Sequence, residues 1–492
     1  MKTSKPNAQR PNILWYCTDQ QRFDTIAALG NQDIRTPNVD RFLSEGVAFL
    51  HTYCQSPICT PSRASMLTGM YPSAIGVNGN GVPFFPEHHA GKLVSRRLAD
   101  AGYDCGLVGK LHLCSAYGRP EERVNDGYQF FSYSHSSRGA EVPGNDYTRW
   151  LQESGHDPVE LMPSEMKKDQ YKGGKFRQSG GLAVPTPERD NTPPELHQSH
   201  WATEQAIEFI ARERNAPWML SVNVYDPHPP FDAPWEYYRR YDPEKLPGAH
   251  FRPSDLQIQQ RIADAGVDFQ TQPRDPELFH HREIQASYYG MIELLDYEFG
   301  RLLAFLDREG LRENTVVIFT SDHGESLGDH GLLMKGCRFM EGLVRVPLIV
   351  SQPGSFRQGY ISQALVELTD IVPTLYDAAG IDVPFFVQGR SLIPVLNGER
   401  STHREYVRCE ALGCIAFPDQ TEATMYREEK WKLVTYHGKE LYELYDLDAD
   451  PWEHENLSEN PAYQEVLFRL LQRSFDATVR ARVPQVPRTA PY

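Results

Sequence analysis

The chain has 492 residues, 40% hydrophobic and 24% charged, proportions ordinary for a globular protein with a sizeable core. Its 50 Lys and Arg against 66 Asp and Glu leave a formal net charge of −16 with no Lys/Arg-rich run, which excludes nucleic acid as a partner. The longest apolar runs, 316–319 and 346–350, fall far short of the roughly 20 residues of a membrane span, and the 8 cysteines, dispersed without a CxxC pair, exclude a disulfide scaffold or zinc ribbon.

Residues 12–17 read as a buried strand, and no apolar leader precedes them, which points to a cytoplasmic protein. The spacing predicts a helix over 36–45, with Thr36 as N-cap, Pro37 at its first position and Gly46 past its end. Short helices follow at 61–68 and 92–101, then a strand at 104–109. A helix over 199–214 precedes a strand at 218–225, and a long amphipathic helix over 283–309 precedes a strand at 315–320. One more helix is expected at 369–379.

This alternation predicts an α/β fold with a mostly parallel sheet flanked by helices. Two polar, Pro- and Gly-rich stretches, about 140–194 and 234–281, read as insertions of the lid or binding-wall kind. From 400 the pattern changes to short strands at 406–410, 423–427, 431–436 and 441–447, then a helix near 461–478. The expectation is therefore a catalytic domain over 1–399 and a smaller antiparallel α+β subdomain over 400–492.

Ligands of open α/β sheets bind beyond the carboxyl ends of the strands. Here four successive strand ends run into Asp19-Gln20, Lys110-Leu111-His112, Asp226-Pro227-His228 and Asp322-His323. A lone Asp or His in such a place is ordinarily a turn former or surface residue, but several at matching ends point to one shared site. Asp19, Gln20, Asp322 and His323 supply three oxygen donors and one nitrogen, a set suited to Ca²⁺ or Mg²⁺ that leaves Mn²⁺ and Zn²⁺ open. Lys110 and Lys335 add point charges suited to a tetrahedral oxyanion.

The pentad Cys59-Thr60-Pro61-Ser62-Arg63 resembles the C-x-P-x-R signature of the formylglycine-dependent sulfatases, relatives of alkaline phosphatase. The flanks 36–46 and 64–72, the Gly109-Lys110-Leu111-His112-Leu113 element, 320–324 and 441–457 are similar to the family over nearly the whole chain. The resemblance implies an alkaline-phosphatase-like fold, one divalent metal (Ca²⁺ first, Mn²⁺ or Mg²⁺ next) and Cys59 oxidised to formylglycine by a maturation enzyme. The metal ligands it implies are Asp19, Gln20, residue 59, Asp322 and His323. It further implies attack by the hydrated aldehyde on sulfur, with His228 protonating the departing alcohol and Lys335 steadying the charge. His112 then takes the proton whose loss expels sulfate, while Lys110 holds the sulfate and Arg63 orients the diol.

The departures are Gln20 and His323, where many relatives carry Asp and Asn. Asp-Gln with Asp-His, and the segment 226–231, also resemble phosphonate monoester hydrolases, whereas the Lys110/His112 pair favours a sulfatase acting on an aryl sulfate or sulfated carbohydrate. A non-catalytic anion- or glycan-binding relative is the third alternative. His135, Arg138, His280 and Arg282 are read as solvated surface within reach of a substrate, Cys54 as core, and association into a homo-oligomer is left open.

Overall fold

The computed structural model describes residues 10–114, 121–135, 145–158, 161, 192–267, 269–415 and 420–482. Strand β1 (Asn12–Thr18) is buried along its whole length and lies at the centre of the main sheet. The other strands of that sheet are β2 (Val47–Tyr53), β3 (Asp104–Gly109), β4 (Phe130–Tyr133), β5 (Trp218–Asn223), β6 (Thr315–Ser321), β7 (Arg345–Val346), β8 (Leu348–Ser351) and β9 (Tyr360–Glu367). Their order is β4-β3-β5-β1-β6-β8-β2-β7, with β9 paired to β2. Pairs from β4 to β6 are parallel, while β8 is antiparallel to both β6 and β2.

Two apolar clusters cover the two faces of this sheet, as expected when parallel strands are buried on both sides. Helices Pro37–Ser44, Gln198–Ile210 and the 28-residue His281–Arg308 supply one of them. On the other face, the helix Cys59–Thr68 is buried at every one of its residues. The sequence placed its start at 61, but Cys59 is already its first residue. Pro61 is tolerated inside the first turn because its missing N–H has no intrahelical acceptor there.

The sequence reading passed over β2, β4 and β9. Strand β2 is mostly buried on both faces and carries no period-2 alternation to betray it. The segment 234–281 differs from a plain insertion loop. It forms the helix Pro253–Asp264 and several short turns, and its Tyr241, Leu246 and Phe279 join an apolar cluster on the helix His281–Arg308. Within 140–194 only 145–158, 161 and 192–194 are described, and the helix Asp146–Glu153 is their main element.

Beyond the main sheet, β10 (Val407–Leu412), β11 (Glu422–Glu428), β12 (Trp431–Tyr436) and β13 (Leu441–Asp446) form an antiparallel meander. The helix Gln464–Arg480 packs on it through Leu467, Leu470 and Ala477. Among the described residues no helix is long and apolar enough to cross a membrane.

Candidate active site

Strand register brings the four polar strand ends to one level. Thr18 pairs with Ser321 across β1 and β6, and Gly109 pairs with Asn223 across β3 and β5. The chain then turns out of the sheet at Asp19, Lys110 and Asp322. At Gly109, with φ +90°, a Cβ would stand 2.0 Å from the Asn223 carbonyl oxygen, so only glycine lets β3 release Lys110 there. After His323 a Cβ on Gly324 would meet the Gly342 carbonyl at 1.9 Å.

Helix Cys59–Thr68 enters this edge with its N-terminus, and its N-cap Ile58 offers no side-chain acceptor. The positive end of the helix is thus directed at the Cys59 side chain. Around the Cys59 Sγ stand Lys335 Nζ at 2.8 Å, His323 Nε2 at 3.1 Å and Asp19 Oδ1 at 3.9 Å. Burial alone would push this thiol up, but Lys110 and Lys335 outweigh it and hold it well below the usual range. The position therefore favours negative charge.

One turn on, Arg63 binds both acidic residues, with Nε 2.8 Å from Asp322 Oδ2 and Nη2 3.1 Å from Asp19 Oδ2. Its third bond goes to the Lys110 carbonyl at 3.1 Å. Lys110 Nζ stands 2.6 Å from Asp19 Oδ2. Burial disfavours the Asp19 carboxylate, yet Lys110 and Arg63 hold it ionised well below the ordinary range.

Asp19, Cys59, Asp322 and His323 each turn one ligand atom into a space where all lie within 4.8 Å of one another. His323 donates Nδ1–H to the Gly324 carbonyl at 2.8 Å, which leaves Nε2 with its lone pair facing the cluster. The ammonium of Lys335 stands among these donors, 2.7 Å from Gln20 Oε1 and 3.2 Å from His323 Nε2. Donors that converge on one positive charge fit a divalent cation, and the oxygen-rich set suits a hard one. Gln20 is held in turn by a hydrogen bond that its side-chain Nε2–H donates to the Glu325 carboxylate.

The two remaining histidines differ in how they are held. His228 donates Nδ1–H to the Pro229 carbonyl at 2.6 Å, and burial together with Lys335 lowers its pKa. His112 is 2% exposed, and apart from a contact with the Cys59 side chain neither ring nitrogen has a hydrogen-bond partner among the described residues. Burial and Lys110 depress it to about 4, so it is a neutral base at pH 7. Buried polar atoms without partners are uncommon in folded proteins, and next to the thiol they mark a place where a further group binds.

Asp19, Gln20, Lys110, His112, His228, Asp322 and His323 are thus brought together with Cys59 and Lys335, whereas Asp226 turns its carboxylate to Ser199 and His197 instead. His135 differs from its reading as solvated surface, because its ring packs edge-on against His112 with centroids 4.6 Å apart. His280 and Arg282 are surface residues paired with Glu283 and Glu277, and Arg138 lies outside the described residues. Cys54 is core, as read.

Two supports were missed. Glu121 accepts the backbone N–H groups of His112, Leu113 and Cys114 at 3.1, 2.9 and 3.0 Å and so shapes the loop that presents His112. Gln270 clamps the loop of Lys335, its N–H on the Lys335 carbonyl at 3.2 Å and its Oε1 on the Lys335 N–H at 3.3 Å. An acceptor for backbone N–H groups leaves no periodicity in the sequence, so neither could be read there.

Comparison with known proteins adds the following. The family profile described as Sulfatase matches residues 11–381, and one described as N-sulphoglucosamine sulphohydrolase, C-terminal, matches 328–479. The chain is 30% identical over 468 residues to an arylsulfatase of Clostridium perfringens, covering 93% of this chain and 92% of that one. It is also 30% identical over 507 residues to the multifunctional alkaline phosphatase superfamily protein PehA of Trinickia caryophylli, covering 94% of each. The solved phosphonate monoester hydrolase of Agrobacterium radiobacter superposes with a TM-score of 0.76 at 25% identity over 96% of both chains.

Proposed function

The chain belongs to the sulfatase family and is a sulfuric ester hydrolase, and from that premise we propose that it cleaves the sulfate monoester of a phenol or a carbohydrate with a formylglycine made from Cys59. The observation that carries this reading is the pairing of Lys110 with a buried, neutral His112 against the Cys59 side chain.

Asp19, Gln20, Asp322 and His323 would hold a divalent cation, Ca²⁺ by preference and Mg²⁺ or Mn²⁺ otherwise. When bound, it supplies polarisation of the sulfate oxygens and favours an ionised hydroxyl on residue 59. The hydrated aldehyde of residue 59 supplies the nucleophile, and a separate formylglycine-generating enzyme supplies the aldehyde. Lys110 and Lys335 bind the non-bridging oxygens of the ester, where their fixed charges oppose the charge that grows in the transition state. Arg63 holds Asp19 and Asp322 in place, with three of its five N–H groups spent on them and on the Lys110 carbonyl.

His228, with Nδ1–H spent on the Pro229 carbonyl, presents Nε2 to the leaving oxygen. Its lowered pKa means that it holds the proton it must donate only once an anionic substrate sits beside it. His112, neutral at pH 7, then accepts the proton from the second hydroxyl so that sulfate departs.

A second reading rests on His323 and Gln20 in the donor set and on the Agrobacterium neighbour: hydrolysis of a phosphonate monoester or phosphodiester by the same cluster. Initial rates on 4-nitrophenyl sulfate and on a phenylphosphonate monoester separate the two. The sulfate is expected to turn over faster, and a large excess for the phosphonate would overturn the proposal. Activity lost on chelation is expected to return most fully with Ca²⁺.

A further inference from the structure

A second group of metal-binding side chains lies outside the catalytic cluster, where three separate parts of the chain meet. Asp255 comes from the helix Pro253–Asp264, His330 from the turn Asp329–Gly331, and His454 from the segment between β13 and the helix Gln464–Arg480. One ligand atom from each lies within 4.8 Å of the other two. His454 Nδ1 stands 3.1 and 3.0 Å from the two oxygens of Asp255, and His330 Nδ1 stands 3.6 Å from Oδ2.

A tetrahedral ion with bonds of about 2.0–2.1 Å separates its ligand atoms by about 3.3 Å, and the observed distances bracket that value. Two of the three parts are held from behind. Asp255 Oδ2 accepts the Arg252 N–H at 2.8 Å, and the His330 N–H donates to the His250 carbonyl at 3.0 Å. His330 is also fixed in the left-handed region, φ 55°.

The electrostatics point the same way. Asp255 is fully buried, and among the described residues its ionic partners are these two imidazoles, with no Lys or Arg. A buried carboxylate whose ionic partners are imidazoles has no permanent countercharge beside it. A divalent cation supplies the missing charge, and the two nitrogens select a first-row transition ion of the Zn²⁺ class over Ca²⁺.

We propose that Asp255, His330 and His454 bind one such ion, which ties the C-terminal subdomain to the helix Pro253–Asp264 and to the loop that carries Lys335 five residues after His330. The site is independent of the sulfatase reading, since none of its three residues belongs to the catalytic cluster.

The test uses the full chain, stripped with a chelator, saturated with Ca²⁺ and titrated with Co²⁺ as a spectroscopic probe. One Co²⁺ per chain with tetrahedral visible absorption and a raised Tm is expected. Both signals should persist in Asp322→Asn and vanish in His330→Gln and in His454→Gln, whose metal-free Tm should stay near that of the metal-free parent. If either glutamine variant does not fold, protection of His330 and His454 from diethyl pyrocarbonate by Co²⁺ in the parent decides instead. Absence of Co²⁺ uptake, unchanged uptake in the two glutamine variants, or unprotected histidines would each overturn the proposal.

Discussion

Two fully buried ionic clusters in this molecule are built to opposite ends. Where the C-terminal sheet meets the main one, Lys432 Nζ stands 3.0 Å from Glu341 and 2.6 Å from Glu453. The remaining oxygens of both carboxylates are taken by the Tyr53 hydroxyl at 2.7 Å and the Glu341 N–H at 2.7 Å. Every charged atom of this trio has a partner, so it has nothing left to offer a ligand. At the strand ends, by contrast, Lys110 and Lys335 crowd one thiol, and the buried ring of His112 has, among the described residues, no hydrogen-bond partner beyond the Cys59 side chain. Burial of charge is common to both clusters. Incomplete pairing is what distinguishes the one that can bind and react.

Variants that break each cluster should therefore fail in different ways. Cys59→Ala removes the proposed nucleophile, and turnover of a sulfate ester should fall roughly 10⁴-fold or more while thermal unfolding stays where it was. His112→Ala should lower kcat by about 10²–10⁴-fold. Lys432→Ala leaves Glu453 buried without its cation and Glu341 with Arg345 alone as a direct ion-pair partner among the described residues. It should cost about 3–5 kcal/mol in denaturant unfolding, with kcat per folded molecule unchanged. If it were Lys432→Ala that spared stability and abolished kcat, the contrast drawn here would fail.

The smallest effect concerns Glu121. Burial pushes its carboxyl up from 4.5 to about 7 despite the three backbone N–H groups it accepts. Between those two values the unfolded chain has lost the proton that the folded state keeps, so this residue's contribution to stability falls as pH rises through the window. Glu121→Gln should remove that slope, seen as a Tm difference of about a few degrees between the two ends of the window.

Much of the candidate site was legible because strand ends in an α/β sheet are a predictable address. Four strands recognisable by their apolar runs delivered Asp19, Lys110, His228 and Asp322 to it, and the C-x-P-x-R pentad supplied Cys59 and Arg63. The C-terminal meander was legible too, since its strands follow one another closely and pair in order. What escaped was long-range. Strand β2 is mostly buried on both faces and shows no alternation, and its pairing with β8 and β9 joins segments some 300 residues apart. Glu121, Gln270 and the ring of His135 act on backbone groups or on another side chain's face, contacts that no local pattern records. The helix Pro253–Asp264 was lost in a segment whose Pro and Gly content masked a single amphipathic stretch.

The account turns on residue 59, and the mass of the tryptic peptide spanning residues 42–63, taken after thiol alkylation of an active preparation, tests it most directly. The peptide carries Cys54 as an internal control. The account predicts Cys54 alkylated and residue 59 at the mass of the aldehyde or its hydrate. Both cysteines alkylated, in protein that turns over a sulfate ester, would contradict it.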